Sequence, residues 1–267
     1  EKSDFNTNDN HYHNHLHHFM VIAQFLLSNR YLQRQQYQRL VLTRLFSKKK
    51  KGSSRQWLNR HVSDSFVKKA NKNKSKAVSR SHYKIEFIDD KYRFIPNNGR
   101  NIIDLGAAPG GWTSFAASKG ANVIAIDLLK LDDQIASLNN VHFFQGDFGE
   151  LLSNSTLLEK IIACSSSDEN SNNGVYAVMS DMAPNFIGDK RTDAIRTSDL
   201  CEQALRFSMH VLSPGGTFVG KFFQGPEEQE LKALAKKGGF KKVITVKPPA
   251  SRKQSGEKYI LAQGFHV

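Results

Sequence analysis

The stretch "NIIDLGAAPGGWTSFAAS" occupies residues 101–118. It opens on an isoleucine- and leucine-rich run and passes through Gly106, Pro109, Gly110 and Gly111. It then continues from Trp112 into a segment free of helix breakers. An apolar run, a glycine-rich loop and a helix in that order are the first unit of an open α/β sheet, whose ligands sit at the carboxyl ends of the strands. Glycines at such a turn let something approach the backbone closely. A phosphate, a dinucleotide or another cofactor are the candidates at this point.

The flanking sequence continues the pattern. Strand-like runs are predicted at 101–105, 123–126, 141–145, 175–180, 217–222, 242–246 and 259–265. Helix-like runs are predicted at 83–94, 113–118, 151–163, 193–211 and 227–236. In the longest of these, Leu200, Ala204, Phe207 and Val211 recur at helical spacing and share one face. The alternation predicts an α/β fold with a mostly parallel seven-stranded sheet and helices on both faces. Only "PPASRKQSGE" separates the last two strand runs. That is too short for a helical crossover, so the last strand is expected to enter antiparallel. The segment 164–174, "CSSSDENSNNG", reads as a polar surface loop.

The loop's surroundings narrow its ligand. The spacing of Gly106, Gly110 and Gly111 is not G-x-G-x-x-G, and no G-x-x-x-x-G-K-[ST] follows. Pro109 stiffens the turn, and no Lys or Arg falls between Asp104 and Ala117. Acids gather instead. Asp104 lies in the first strand, Asp127 ends the second, Asp147 follows the third and Asp181 the fourth. Asp127 comes 21 residues after Gly106, where a carboxylate accepts ribose hydroxyls. Carboxylates repel a pyrophosphate but suit a ligand with a ribose, an adenine and a positive centre. S-adenosylmethionine has all three.

"DLGAAPGGW", "AIDL", "GDF", "SDMAPN" and "GKFFQG" occur in that order, and over residues 75–267 the chain resembles the FtsJ/RrmJ-type RNA 2′-O-ribose methyltransferases. The resemblance implies a Rossmann-like S-adenosylmethionine-dependent methyltransferase fold and a Lys-Asp-Lys-Glu tetrad. Its members here are Lys84 in "SRSHYK", Asp181 in "SDMAPN", Lys221 in "GKFFQG" and Glu257 in "SRKQSGEKY". It also implies cofactor positions at Gly106, Pro109, Gly110, Gly111, Trp112, Asp127, Asp147, Phe148 and Asp181, with Phe148 beside the adenine. A metal is not implied.

The residue types suit the chemistry. A ribose 2′-hydroxyl must lose its proton as it attacks a methyl group, and a lysine accepts that proton only when its amine is neutral. Burial and the neighbouring Lys84 favour neutral Lys221; Asp181 and Glu257 favour the charged form and fix the amine's direction. Lys221 is the expected general base. "SDMAPN" is the form found in bacterial and mitochondrial large-subunit rRNA enzymes of the family, and only ten residues follow Glu257. Together with the presequence read below, the resemblance implies mitochondrial large-subunit ribosomal RNA within an assembly intermediate as the expected substrate; that the ribose is a uridine's is implied by the resemblance alone. An enzyme acting on tRNA or another RNA, and a non-catalytic RNA-binding assembly factor, are the alternatives.

The 267-residue chain carries a net charge of +13, with 11 Lys/Arg against 3 Asp/Glu in residues 1–63. Such an excess suits a polyanionic partner. Residues 1–62 are expected to be a disordered tail. Its "HYHNHLHH" has no fixed geometry to hold a metal. Between Met20 and Asp64 there is no acid, while Arg30, Arg34, Arg39 and Arg44 are spaced among Leu, Phe and Val. That acid-poor, basic amphipathic stretch reads as a mitochondrial presequence over about 20–50, which would place the enzyme in the matrix. A basic arm on RNA is the other reading. Residues 63–80 read as a basic linker, and the methyltransferase domain is expected over 81–267. Two cysteines, Cys164 and Cys201, make no disulfide framework, and no run has the length of a membrane span.

Overall fold

The computed structural model describes residues 79–95, 99–153, 174–252 and 254–266. The chain divides into two compact units. The unit formed by His61–Phe148 and Ile161–Val267 holds every described residue except Gly149–Ser153, which belong to the other. The expected tail, presequence and histidine cluster, nearly all of the basic linker and the loop before Gly174 lie outside the described residues.

Thirteen elements follow along the described chain: α1 (His82–Tyr92), β1 (Asn101–Leu105), α2 (Gly111–Ser118), β2 (Asn122–Asp127), α3 (Asp133–Ala136), β3 (Val141–Gln145), α4 (Phe148–Ser153), β4 (Val175–Ser180), α5 (Lys190–Val211), β5 (Leu212–Phe223), α6 (Glu227–Lys237), β6 (Phe240–Val246) and β7 (Glu257–Phe265). The seven strands form one sheet in the order β3-β2-β1-β4-β5-β7-β6. β1 to β5 run parallel, while β7 is antiparallel to both β5 and β6. The α/β architecture expected from the sequence is the one found.

Why the sheet forms here follows from burial. All five residues of β1 are buried, as the central strand of a doubly covered parallel sheet requires. Ile102, Ile103, Leu105, Ile124, Met179 and Phe218 are fully buried on one face or the other. β1 is flanked by β2 on one side and β4 on the other, so the chain's direction of travel reverses between β1 and β4. That switch point opens a crevice at the carboxyl ends of the two strands. The glycine loop leaves β1 and Asp181 follows β4, which brings both to the crevice.

Several boundaries differ from the sequence reading. α1 ends at Tyr92 because Arg93 takes a left-handed conformation (φ 50°) and its N–H returns to the Asp89 carbonyl. The buried Asp89 carboxylate then accepts from the N–H groups of Phe94 and Ile95 and pairs with Lys119 at the C-terminal end of α2. The helix expected over 151–163 is described as α4 at Phe148–Ser153, and its remainder lies outside the described residues. The short α3, capped by the Asp132 side chain on the Gln134 N–H, has too few residues to show a period. β7 begins at Glu257, two residues earlier than the apolar pattern suggested.

Candidate active site

The antiparallel entry of β7 decides the site. Its first residue, Glu257, lies opposite Phe223 at the end of β5, and Tyr259 lies opposite Lys221. Residues two apart on a strand share a face, so Lys221, Phe223, Glu257 and Tyr259 all project from one side of the sheet. Asp181, just past β4, and Lys84, in the first turn of α1, meet them there.

Two ion pairs result. Lys84 Nζ lies 2.9 Å from Glu257 Oε2, and Lys221 Nζ lies 3.1 Å from Asp181 Oδ1. Lys221 also donates to the Asp181 backbone carbonyl. Each carboxylate has further donors. Asp181 accepts from Ser81 Oγ at 2.7 Å and from the Tyr259 hydroxyl at 2.9 Å, while Glu257 accepts from Ser251 Oγ at 2.7 Å. The structure thus brings together all four residues expected from the tetrad. The sequence reading missed Ser81, Ser251 and Tyr259. Tyr259 was accessible through its strand spacing from Glu257; the two serines sent no comparable signal.

Ser81 stands at the N-cap position of α1 but makes no capping hydrogen bond, since its hydroxyl serves Asp181 instead. A helix start forgoes its usual stabilisation to hold a site residue. The Trp112 indole N–H donates to the Ser81 carbonyl at 3.0 Å, and its ring packs on Tyr259 at 5.5 Å. Trp112 thereby fixes two of the donors to Asp181. Burial disfavours the Asp181 carboxylate. The charges of Lys221 and Lys84, with the Ser81 hydrogen bond, outweigh burial and hold the group well below the usual carboxylate range. Tyr259 is pushed the other way by burial and by the charges of Asp181 and Glu257, so its hydroxyl stays a donor.

The glycine loop is shaped by the protein around it. Gly106 has φ +77°, and a Cβ there would stand 2.8 Å from Met182 Cγ. A Cβ at Gly110 (φ +115°) would meet Ile135 Cδ1 at 2.5 Å, and one at Gly111 would meet Ser79 Oγ at 2.3 Å. Pro109 accepts the Asp132 N–H at its carbonyl. Asp127 ties the loop to β2, its Oδ2 accepting from the Ala108 N–H and its Oδ1 from the Leu129 N–H, both at 2.8 Å. The Phe148 ring meets Phe207 edge to face at 5.4 Å. Asp147 lies one residue beyond Gly146, whose N–H bonds the Asp127 carbonyl.

Asp104 is fully buried and takes the Thr113 hydroxyl on Oδ2 at 2.7 Å, while its Oδ1 has no hydrogen-bond partner. Burial pushes Asp104 up to about 7; the Thr113 hydrogen bond opposes this, and the charges of Asp181 and Asp127 add to it. An orphaned buried acceptor near two further carboxylates fits a ligand bearing positive charge. The donor set therefore suits S-adenosylmethionine. Among the described residues no group of three or more His, Cys, Asp or Glu could hold a metal ion, and no helix is long and apolar enough to cross a membrane.

A seven-stranded sheet in this order, with a glycine loop at the β1/β4 crevice and β7 inserted antiparallel, defines a Rossmann-like methyltransferase. The chain belongs to the FtsJ-like methyltransferase family, whose sequence model matches residues 77–265. It is 42% identical to ribosomal RNA large subunit methyltransferase E of Afipia carboxidovorans, over 85% of this chain and 96% of that protein. It is 40% identical to the protein of that name from Gluconobacter oxydans, over 80% of this chain and 73% of the other. A crystal structure from Plasmodium falciparum, described as a ribosomal RNA methyltransferase, is similar with a TM-score of 0.58. It shares 28% identity and covers 70% of this chain and 97% of that one.

Proposed function

We propose that this methyltransferase modifies the 2′-hydroxyl of a ribose, that of a uridine, in mitochondrial large-subunit ribosomal RNA during subunit assembly. The observation that carries the reading is the convergence of Lys84, Asp181, Lys221 and Glu257 beside the glycine loop. Two buried lysines, each fixed by a carboxylate, are what a weak hydroxyl nucleophile needs, and one of them can take its proton.

When bound, S-adenosylmethionine supplies an electrophilic methyl group. Asp127 would face its ribose portion, with Asp147 and the backbone of Gly106–Trp112 alongside. In its neutral form, after its ammonium has released a proton to solvent, Lys221 accepts the proton that the 2′-hydroxyl loses. Asp181 holds Nζ of Lys221 in one direction, and Ser81 and Tyr259 hold Asp181. The Lys84–Glu257 pair, pinned by Ser251, stands beside them with a second cation for the same site. The rest is alignment, because reacting atoms held at near-attack distance need no further ordering. The ribosomal target is supported by the names of the bacterial relatives, and the mitochondrial address by the acid-poor stretch after Met20.

The test is to map 2′-O-methyl positions in mitochondrial rRNA with and without the gene, and to repeat the transfer in vitro on defined RNAs. Loss of one large-subunit uridine mark, restored by the purified enzyme, is expected. A mark lost from tRNA instead would redirect the substrate, and no lost mark would leave an RNA-binding factor.

A further inference from the structure

Five large apolar side chains are exposed among the described residues, four of them in two neighbouring pairs, Leu128–Leu129 and Phe186–Ile187; of the five only Phe186 is aromatic. Phe186 and Ile187, 56% and 41% exposed, sit between β4 and α5. The chain on both sides of Phe186 is tied down. The Asn185 carbonyl accepts from Arg196 Nη1 at 2.8 Å. The N–H groups of Ile187 and Gly188 donate to the buried Asp193 carboxylate at 2.9 and 3.0 Å. The Phe186 ring leans on Phe223, centroids 5.9 Å apart and planes tilted by 46°. Phe223 lies two residues beyond Lys221 on the same face of β5 and directly opposite Glu257. The ring pair therefore borders the tetrad, roughly 7 Å along the strand from Lys221. Lys190 and Arg191, both exposed, follow a few residues later.

We propose that Phe186, backed by Phe223, is the stacking platform for a base of the RNA, either the target nucleotide's own or its immediate neighbour's. The inference rests on the ribose-methylation reading above. An exposed π-face beside cations is how single-stranded RNA is held, with bases stacked and phosphates met by Lys and Arg. The anchoring by Arg196 and Asp193 presents the ring without an ordering cost at binding. The Asp181–Lys221 and Lys84–Glu257 pairs bind the ribose; the ring orients the base attached to it or next to it.

Phe186→Ala, Phe186→Leu and Phe186→Tyr would be compared with wild type on whichever of naked transcript and undermethylated large subunit the wild type methylates. KM for the RNA substrate is expected to rise about tenfold in the Ala and Leu variants. It should stay near wild type in the Tyr variant, with cofactor Kd unchanged throughout. A wild-type KM in Phe186→Ala overturns the proposal, as does Leu matching Tyr, because an apolar contact without a π-face would then suffice. Benzoylphenylalanine at position 186 adds a second readout. It should crosslink to the methylated nucleotide or an adjacent one on irradiation; a crosslink only to a ribosomal protein contradicts the stacking role. If the wild type methylates no ribose, the functional reading fails too, whereas an active wild type with an indifferent Phe186 defeats this inference alone.

Discussion

At the scale of single residues, Asp127 serves two ends. Its two oxygens already hold the Ala108 and Leu129 N–H groups, yet each retains capacity for a ribose hydroxyl. Asp127→Ala is expected to weaken cofactor binding about tenfold or more by calorimetry, and also to lower the melting temperature by several degrees as two charged hydrogen bonds are lost. Unchanged cofactor affinity would contradict its placement. Asp104 carries a pH signature. In the fold it keeps its proton up to about pH 7; unfolded, it loses it near the ordinary carboxylate value. The folded state thus binds the extra proton between those values, and stability falls as pH rises through that window. Asp104→Asn has no such proton. Urea unfolding of the cofactor-free proteins should therefore show the difference moving in the variant's favour by about 3 kcal/mol from pH 5 to pH 8. Parallel curves would show that the group is not buried as described. The tetrad was legible because its four residues sit in recognisable surroundings. Ser81 was not, since a hydroxyl acting on a carboxylate 100 residues away leaves no local pattern; Ser251 and Asp193 act within six residues, but through a loop and a backbone turn that have no fixed spacing to read.

At the scale of elements, the strands were legible through their unbroken apolar runs, and β7's direction through the shortness of the loop before it. The helix ends were less so. α1 stops at a left-handed arginine, a conformation that sequence pattern assigns to glycine or asparagine. The start of β7 was hidden because Glu257 is a site residue rather than a core residue, and only pairing with Phe223 reveals it as strand. The loop before α5 was invisible as an ordered feature; its order comes from Asp193, which points back into it from the first turn of the helix. Asp193→Ala should free Ile187 and Gly188, cost about 1–3 kcal/mol of stability by denaturant unfolding and raise KM for RNA as Phe186→Ala does. Cofactor affinity should not change. A stable variant with wild-type KM would show that the anchor is dispensable.

At the scale of the whole molecule, the charge asymmetry suits a polyanionic partner, with 11 Lys/Arg against 3 Asp/Glu in residues 1–63. The family model begins at residue 77, yet the match to the Afipia carboxidovorans protein spans 85% of the chain and so reaches well upstream of that point. A bacterial protein has no mitochondrial address. If the basic stretch is an RNA arm, its lysines meet phosphates. Replacing Lys48, Lys49, Lys50 and Lys51 with glutamine should weaken RNA binding and flatten its dependence on log salt by up to about 3 in slope. A fluorescent reporter carrying residues 20–62 should still reach mitochondria in that background. An unaltered salt slope would remove the arm from the RNA contact, and a cytosolic reporter would remove the address. The central claim, that these residues move a methyl group to a ribose oxygen with Lys221 as base, has one direct measurement. Transfer of labelled methyl from S-adenosylmethionine to large-subunit rRNA is followed with wild type and Lys221→Ala, and the product is digested with alkali. The account predicts an alkali-resistant dinucleotide from wild type and a rate lower by about 10²–10⁴ in the variant. Label on a base, or transfer by Lys221→Ala at the wild-type rate, would contradict it.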